Sequence, residues 1–318
     1  MNKISIVIPV YMNEGELHKT YSELHRILTN DLPEYDYEFI FVDDGSRDNS
    51  LGELMEIQAA DTKVTVIKLS RNFGQFAAIN CGVRHITGDL LMVISADSQD
   101  PPELLSEFTK KVQEGYDVVI AERIARNDSM FRNIVSRIYY GLLRIENPEI
   151  PIGGFDCFML TRPAVDAYLQ LKDLIRVHQV DITWLGFKKT FIPYERRRRS
   201  EDKSEYNFSK LIVTAFNGIL NSSIWPIRFI MLFGVIVSIS GFIFAGMILR
   251  GYLLERMKPQ GWTAIMMTML IIGGVTIVML GVIGEYIWRI YYEAKERPLY
   301  IVEEIISSKK KQSAKKQC

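Results

Sequence analysis

Cysteine is nearly absent: Cys81, Cys157 and Cys318 are the only three in 318 residues, odd in number and far apart. That excludes a disulfide framework and a CxxC-type metal site, and makes a reducing compartment the simpler setting. An excess of charge of either sign is also lacking, since 38 basic and 38 acidic side chains cancel. No basic field marks a nucleic-acid binder, so nucleic acid is not an expected partner. The four histidines, His18, His25, His85 and His178, stand apart without metal spacing. No GxGxxG follows the first apolar run and no GxxxxGK[ST] occurs, which argues against hydride transfer and P-loop chemistry. No signal peptide is expected either, because Met1 to Val10 is short and runs straight into a polar segment. The first ~225 residues are therefore expected to stay where they are made.

What is present divides sharply along the chain. Phe229 to Leu249 is a run of 21 residues without a charge, and Trp262 to Gly284 is another of 23. At about 1.5 Å rise per residue each run is long enough for a hydrocarbon core of about 30 Å. Buried core helices of this length usually keep a polar stripe, and these have only Ser, Thr and Gly among Ile, Val, Met, Leu and Phe. Two membrane spans are expected, at 229–249 and 262–284. Lys210 and Arg228 precede the first, and Arg289, Lys295, Arg297 and the lysines from Lys309 to Lys316 follow the second. The connecting loop has only Arg250, Arg256 and Lys258, offset by Glu255, so both termini are expected in the cytoplasm. Gly234, Gly241 and Gly246, or Gly273, Gly274, Gly281 and Gly284, leave room for close helix contact, which keeps a homo-oligomer open. Residues 209–227 place Leu211, Ile212, Ala215, Phe216, Ile219 and Leu220 on one helical face, suiting an interfacial helix or packing against the domain before it.

Before the spans, apolar runs of strand length alternate with stretches of helical period. Ile4–Tyr11, Glu38–Ser46, Val64–Ser70, Asp89–Ser95 and Tyr116–Glu122 read as strands; Leu17–Leu28, Leu51–Ala60, Gln75–His85 and Pro102–Glu114 read as helices. Strand and helix in turn predict an α/β fold with a mainly parallel, doubly wound sheet, whose ligands bind beyond the carboxyl ends of its strands. Asn13, Glu14, Asp43, Asp44, Arg71, Asp97, Gln99 and Arg123 collect at those ends. A carboxylate at Asp43 or Asp44 suits a base N–H or ribose hydroxyls, and Asp97 suits a hard divalent cation that shares its shell with phosphate oxygens. Taken singly, Asp44 before Gly45-Ser46 also suits a turn, and Asp100 before Pro101-Pro102 a helix cap.

IPVYMNE, FVDDGSRD, LSRNFGQFAA, SADSQDPPEL, GYDVV with Arg123, PYERR and two C-terminal spans together resemble the inverting GT-A glycosyltransferases of family 2. Within them the chain is most similar to the polyprenyl-phosphate glycosyltransferases, the bacterial bactoprenol glucosyltransferases in particular. The resemblance implies a GT-A catalytic domain over 1–208, a juxtamembrane helix over 209–227, a transmembrane hairpin over 228–290 and a cytoplasmic basic tail over 291–318. It implies a nucleotide-sugar site at Pro9, Tyr11, Glu14, Asp43, Asp44, Arg71, Ser95 and Ala96, and Mg²⁺ or Mn²⁺ at Asp97 and Gln99. Asp97, Arg123 and Asp156 become the catalytic candidates. Arg132 and Ser136 match the positions that hold the lipid phosphate, and Arg198 of the run Arg196–Arg199 joins them as a fork suited to phosphate. The implied activity is transfer of a hexose, glucose from UDP-glucose first, to undecaprenyl phosphate at the cytoplasmic face of a bacterial inner membrane. GDP-mannose or UDP-amino sugars on the same lipid, and an inactive membrane scaffold, are the rivals. Two departures stand out: Ser95 where the family usually has an Asp, and Glu205 where it usually has a Lys.

Overall fold

The computed structural model describes residues 2–124, 147–151, 154–171, 178–195, 232–237 and 261–307, with a few further positions between 141 and 250. The chain divides into two compact units, Met1–Ser222 with Pro298–Cys318, and Ser223–Arg297.

The first unit opens with β1 (Lys3–Val10), α1 (Leu17–Asn30), β2 (Asp36–Asp43), α2 (Ser50–Ala60), β3 (Val64–Leu69), α3 (Gln75–Arg84), β4 (Leu90–Val93), α4 (Leu104–Gln113) and β5 (Val118–Arg123). These are the elements the alternating pattern predicts, each within a few residues. Three further strands and two helices follow among the described residues of this unit: β6 (Phe158–Thr161), α5 (Arg162–Gln170), α6 (His178–Trp184), β7 (Lys189–Tyr194) and β8 (Val302–Ser307). The sheet runs β7-β5-β6-β4-β1-β2-β3-β8. All neighbours pair in parallel except where β6 meets β4 and β5, and where β8 meets β3.

Both faces of this sheet are covered, which is why its strands read as nearly unbroken apolar runs. Ile4, Ile6, Ile8, Phe39 and Phe41 pack with Leu17, Leu24, Leu54, Leu105 and Phe108 from α1, α2 and α4. Val7, Ile40, Val42, Ile67 and Leu69 face the other way, onto Ala78, Ile79, Val165, Tyr168 and Ile182 from α3, α5 and α6. Gly82 lets α3 settle on β1, since a Cβ there would lie 2.4 Å from Val7 Cγ1. The one buried polar residue of β1, Ser5, donates to Glu38 Oε1 and accepts from the Gly88 N–H.

The reading of 291–318 as a basic tail needs correction. Val302–Ser307 pairs antiparallel with β3, Ile305 and Ile306 pack on the two cores, and Lys68 pairs with Glu303. The strand escapes a sequence reading because VEEIIS is short and sits between an apolar helix and a run of lysines.

In the second unit, α7 (Trp262–Ala294) is one continuous helix of 33 residues. Gly234 faces the Met279 side chain within the same unit, 3.0 Å from where its Cβ would stand. That glycine serves contact inside the chain. Among the described residues no helix presents a stretch long and apolar enough to cross a membrane, so the two expected spans are not established by the fold. About half of 229–249 lies outside the described residues, as do all of 209–227, Arg132, Ser136 and Arg198.

Candidate active site

Strand order reverses at β1, with β4 on one side and β2 on the other, and such switch points are where open α/β sheets bind ligands. The β1–β4 ladder ends at Val7 and Val93 while β1 and β2 stay paired to Val10 and Asp43. Pro9, which has no N–H to give, therefore sits in a central strand where the β4 ladder has already ended. Tyr11 beyond it is partly exposed, and its N–H donates to Asn13 Oδ1.

Asp43 ends β2 and Asp44 follows it; both are almost fully buried, but they do different work. Both Asp44 oxygens are taken, by the N–H groups of Phe73 at 2.7 Å and Gly74 at 2.8 Å, so this carboxylate ties the loop after β2 to the loop after β3. Gly45 brings the two loops together: its φ is +71° and a Cβ would lie 2.7 Å from the Arg71 carbonyl carbon. Asp43 accepts the Ser46 N–H at Oδ1, and its buried Oδ2 has no partner among the described residues. Burial raises the carboxyl pKa of Asp43 above its ordinary value, against hydrogen bonds from Ser46, and burial likewise raises Asp44 against its two backbone donors. Glu14 accepts the Asn49 N–H and holds the loop after β1 against the start of α2. Arg71 lies exposed over the Phe73 ring.

The loop after β4 carries Ser95, Ala96, Asp97 and Gln99. Thr20 of α1 braces it by donating to the Ala96 carbonyl at 3.0 Å and meeting the Ser98 hydroxyl at 2.9 Å. Ser98 takes φ +53°, unusual for a residue with a side chain, between the two expected metal ligands. Asp97 Oδ1 accepts the Gln99 N–H at 3.3 Å. Ser95 donates its hydroxyl to Asp100 Oδ2 at 2.5 Å.

Arg123 ends β5 and is in register with Tyr194, which ends β7. Because β6 runs against its neighbours, its entrance brings Asp156 to the same edge of the sheet. Arg123 pairs through Nη2 with Asp156 and donates from Nε to the Tyr194 hydroxyl at 3.1 Å; Tyr194 in turn donates to Asp100 Oδ1 at 2.6 Å. Gln179 donates to the other Asp156 oxygen at 3.4 Å, with His178 Nε2 3.8 Å from that atom. Burial opposes the charge on Arg123, but Asp156, Tyr194 and Asp100 outweigh it and raise its pKa. Burial, then the Asp100 charge, raises the Tyr194 phenol.

The structure thus gathers Pro9, Tyr11, Asp43, Asp44, Arg71, Ser95, Ala96, Asp97, Gln99, Arg123 and Asp156 at one edge of the sheet. Sequence reasoning missed Asp100 and Tyr194. A buried carboxylate before Pro-Pro passes for a cap, and only its register across β5 and β7 brings Tyr194 beside Arg123. Among the described residues no three His, Cys, Asp or Glu side chains group as a metal site. Asp97 and Gln99 supply one carboxylate and one amide oxygen, a donor set that fits a hard cation completing its shell with diphosphate oxygens.

The profile of the Glycosyl transferase family 2 matches residues 5–169. A Bacillus subtilis protein described as an uncharacterized glycosyltransferase is 37% identical over 94% of this chain and 93% of its own. An Escherichia coli K12 protein described as a prophage bactoprenol glucosyl transferase homolog is 29% identical over 95% of this chain and 99% of its own. A solved glucosyl-3-phosphoglycerate synthase from Mycobacterium tuberculosis, in complex with Mn²⁺ and UDP-glucose, aligns with a TM-score of 0.47 at 15% identity, over 68% of this chain and 76% of its own. With the matched residues running from β1 through α5, across the strand ends just described, the chain belongs to glycosyl transferase family 2 and is a glycosyltransferase.

Proposed function

We propose that the protein transfers a hexose, glucose from UDP-glucose, to the phosphate of undecaprenyl phosphate with inversion at the anomeric carbon. The observation that carries this reading is the edge of the sheet where an unpartnered Asp43 oxygen, the Asp97–Gln99 loop and the Arg123–Asp156 pair converge. Asp43 Oδ2 accepts a base N–H, which removes an unsatisfied buried oxygen. Asp97 and Gln99 hold Mg²⁺ or Mn²⁺, which when bound offsets the charge of the departing diphosphate. Arg123, kept charged by its carboxylate partners, adds a fixed positive group at the same edge.

The acceptor phosphate is already an anion and needs no strong base. One of its oxygens bonds to the anomeric carbon as the bond from that carbon to the diphosphate oxygen breaks, and UDP leaves. Positioning of two anions is then the main task of the protein. The name of the Escherichia coli relative supports a polyprenyl acceptor. The two uncharged runs of the sequence, 229–249 and 262–284, with basic residues outside them, are what supports anchoring in the membrane with the first unit and both termini in the bacterial cytoplasm. By the same reading Arg132, Ser136 and Arg198 meet the lipid phosphate.

The test is transfer of labelled sugar from a panel of UDP- and GDP-sugars to undecaprenyl phosphate in membranes containing the full chain, with Mn²⁺, Mg²⁺ or EDTA. Label should enter the organic phase from UDP-glucose, vanish with EDTA, and fall by at least about 100-fold in Asp97→Ala. Label from another donor alone would reject glucose, and unchanged transfer by Asp97→Ala would reject the site.

A further inference from the structure

Ser95 stands where the family resemblance leads one to expect an aspartate, and it reads as a metal ligand exchanged for a weaker one. Its surroundings give it different work. Asp100 is only 2% exposed, and its carboxylate is met by two hydroxyls: Ser95 Oγ at 2.5 Å on one oxygen and Tyr194 at 2.6 Å on the other. The Ser95–Asp100 bond closes the loop that contains Asp97 and Gln99, while Thr20 braces the same loop from α1. From Asp100 the chain of contacts runs through Tyr194 to Arg123 and on to Asp156.

The charges explain the choice of residue. Asp100, Asp156 and Arg123 sum to one negative charge around a mostly buried cluster. An aspartate at position 95 would add a second carboxylate within hydrogen-bond reach of Asp100, and two carboxylates sharing a site disfavour each other's ionised form. A serine supplies the donor that Asp100 needs and no charge.

We propose that Ser95 is a positioning residue that acts through Asp100 and Tyr194, tying the Asp97–Gln99 loop to Arg123, and is not a lost metal ligand. The proposal rests on the reading of this edge as the donor site.

The test uses the full chain with Ser95→Ala, Ser95→Thr, Ser95→Asp and Tyr194→Phe. Three quantities are read: kcat and donor KM, Mn²⁺ binding in the presence of UDP, and the melting temperature. Ser95→Ala and Tyr194→Phe should lower kcat by about 10- to 100-fold, the scale of a small misplacement in a site, with donor KM nearly unchanged. Ser95→Thr, which keeps the hydroxyl, should recover most of the rate. Ser95→Asp should be slower than wild type and bind Mn²⁺ no more tightly. Faster transfer and tighter Mn²⁺ binding by Ser95→Asp would overturn the proposal, and so would a wild-type kcat in Ser95→Ala. A wild-type chain that neither binds UDP nor transfers sugar would refute the functional reading instead. The proposal is then decided by melting: non-additive effects of Ser95→Ala and Tyr194→Phe support the coupling, and additive effects overturn it.

Discussion

Asp43→Asn should move stability and nucleotide binding in opposite directions. Oδ2 of Asp43 is buried with no partner among the described residues, while Oδ1 is held by the Ser46 N–H. An unsatisfied buried polar atom costs about 1–3 kcal/mol, and more when it is charged. Asparagine keeps the Oδ1 contact and removes the charge, although its amide group is also unpartnered, so the lower part of that range applies. A gain of about 1 kcal/mol in a unit of this size raises the melting temperature by about 2–4 °C. Binding should suffer, because the substituted amide presents a donor to a base N–H where the carboxylate presented an acceptor. Loss of a hydrogen bond to a charged group, about 1.5–3 kcal/mol, weakens UDP binding by about 10- to 150-fold. Titration calorimetry with UDP in EDTA and a thermal melt of the same sample measure both numbers. A variant that melts lower and binds UDP as wild type does would refute the reasoning, since Asp43 would then be a structural carboxylate.

The pH dependence has a fixed sign. Burial raises the Asp43 pKa, so the folded protein holds a proton that the unfolded chain releases near its ordinary value of about 3.9. Stability from this group is therefore fully present below that value and is lost as pH rises through the raised one. UDP affinity should rise over the same window, as the acceptor ionises. Asp44 has the same sign, so Asp43→Asn should flatten only part of the stability slope but nearly all of the binding slope.

Gly45→Ala should weaken nucleotide binding more than tenfold and lower the melting temperature, because its Cβ would meet the Arg71 backbone from a left-handed φ and push apart the loops that Asp44 joins; calorimetry with UDP reads the first effect. Gly82→Ala should cost about 1–3 kcal/mol by forcing α3 off Val7, measured by denaturant unfolding, with little change in donor KM. Deleting residues 298–318 should lower the melting temperature of the first unit by removing β8, read by a thermal melt.

The first half of the sheet was legible because each of its strands is a self-contained apolar run followed by a turn and an amphipathic helix, so local pattern and final position agree. The carboxylates at those strand ends follow from the topology, which needs only the parallel crossover rule. Legibility stops where a residue's role depends on a partner far along the chain. Asp44 looks like a turn residue, yet its acceptor work is done 29 and 30 residues away, at Phe73 and Gly74. Asp100 looks like a helix cap, yet it is fixed by Tyr194, 94 residues on, through a strand too short and too mixed in character to be read as one. The same holds for Ser95. As a sequence letter it departs from a metal motif, and in the fold it is the donor that a buried carboxylate requires. A substitution at a motif position therefore carries information about function only once the neighbour that it answers is known.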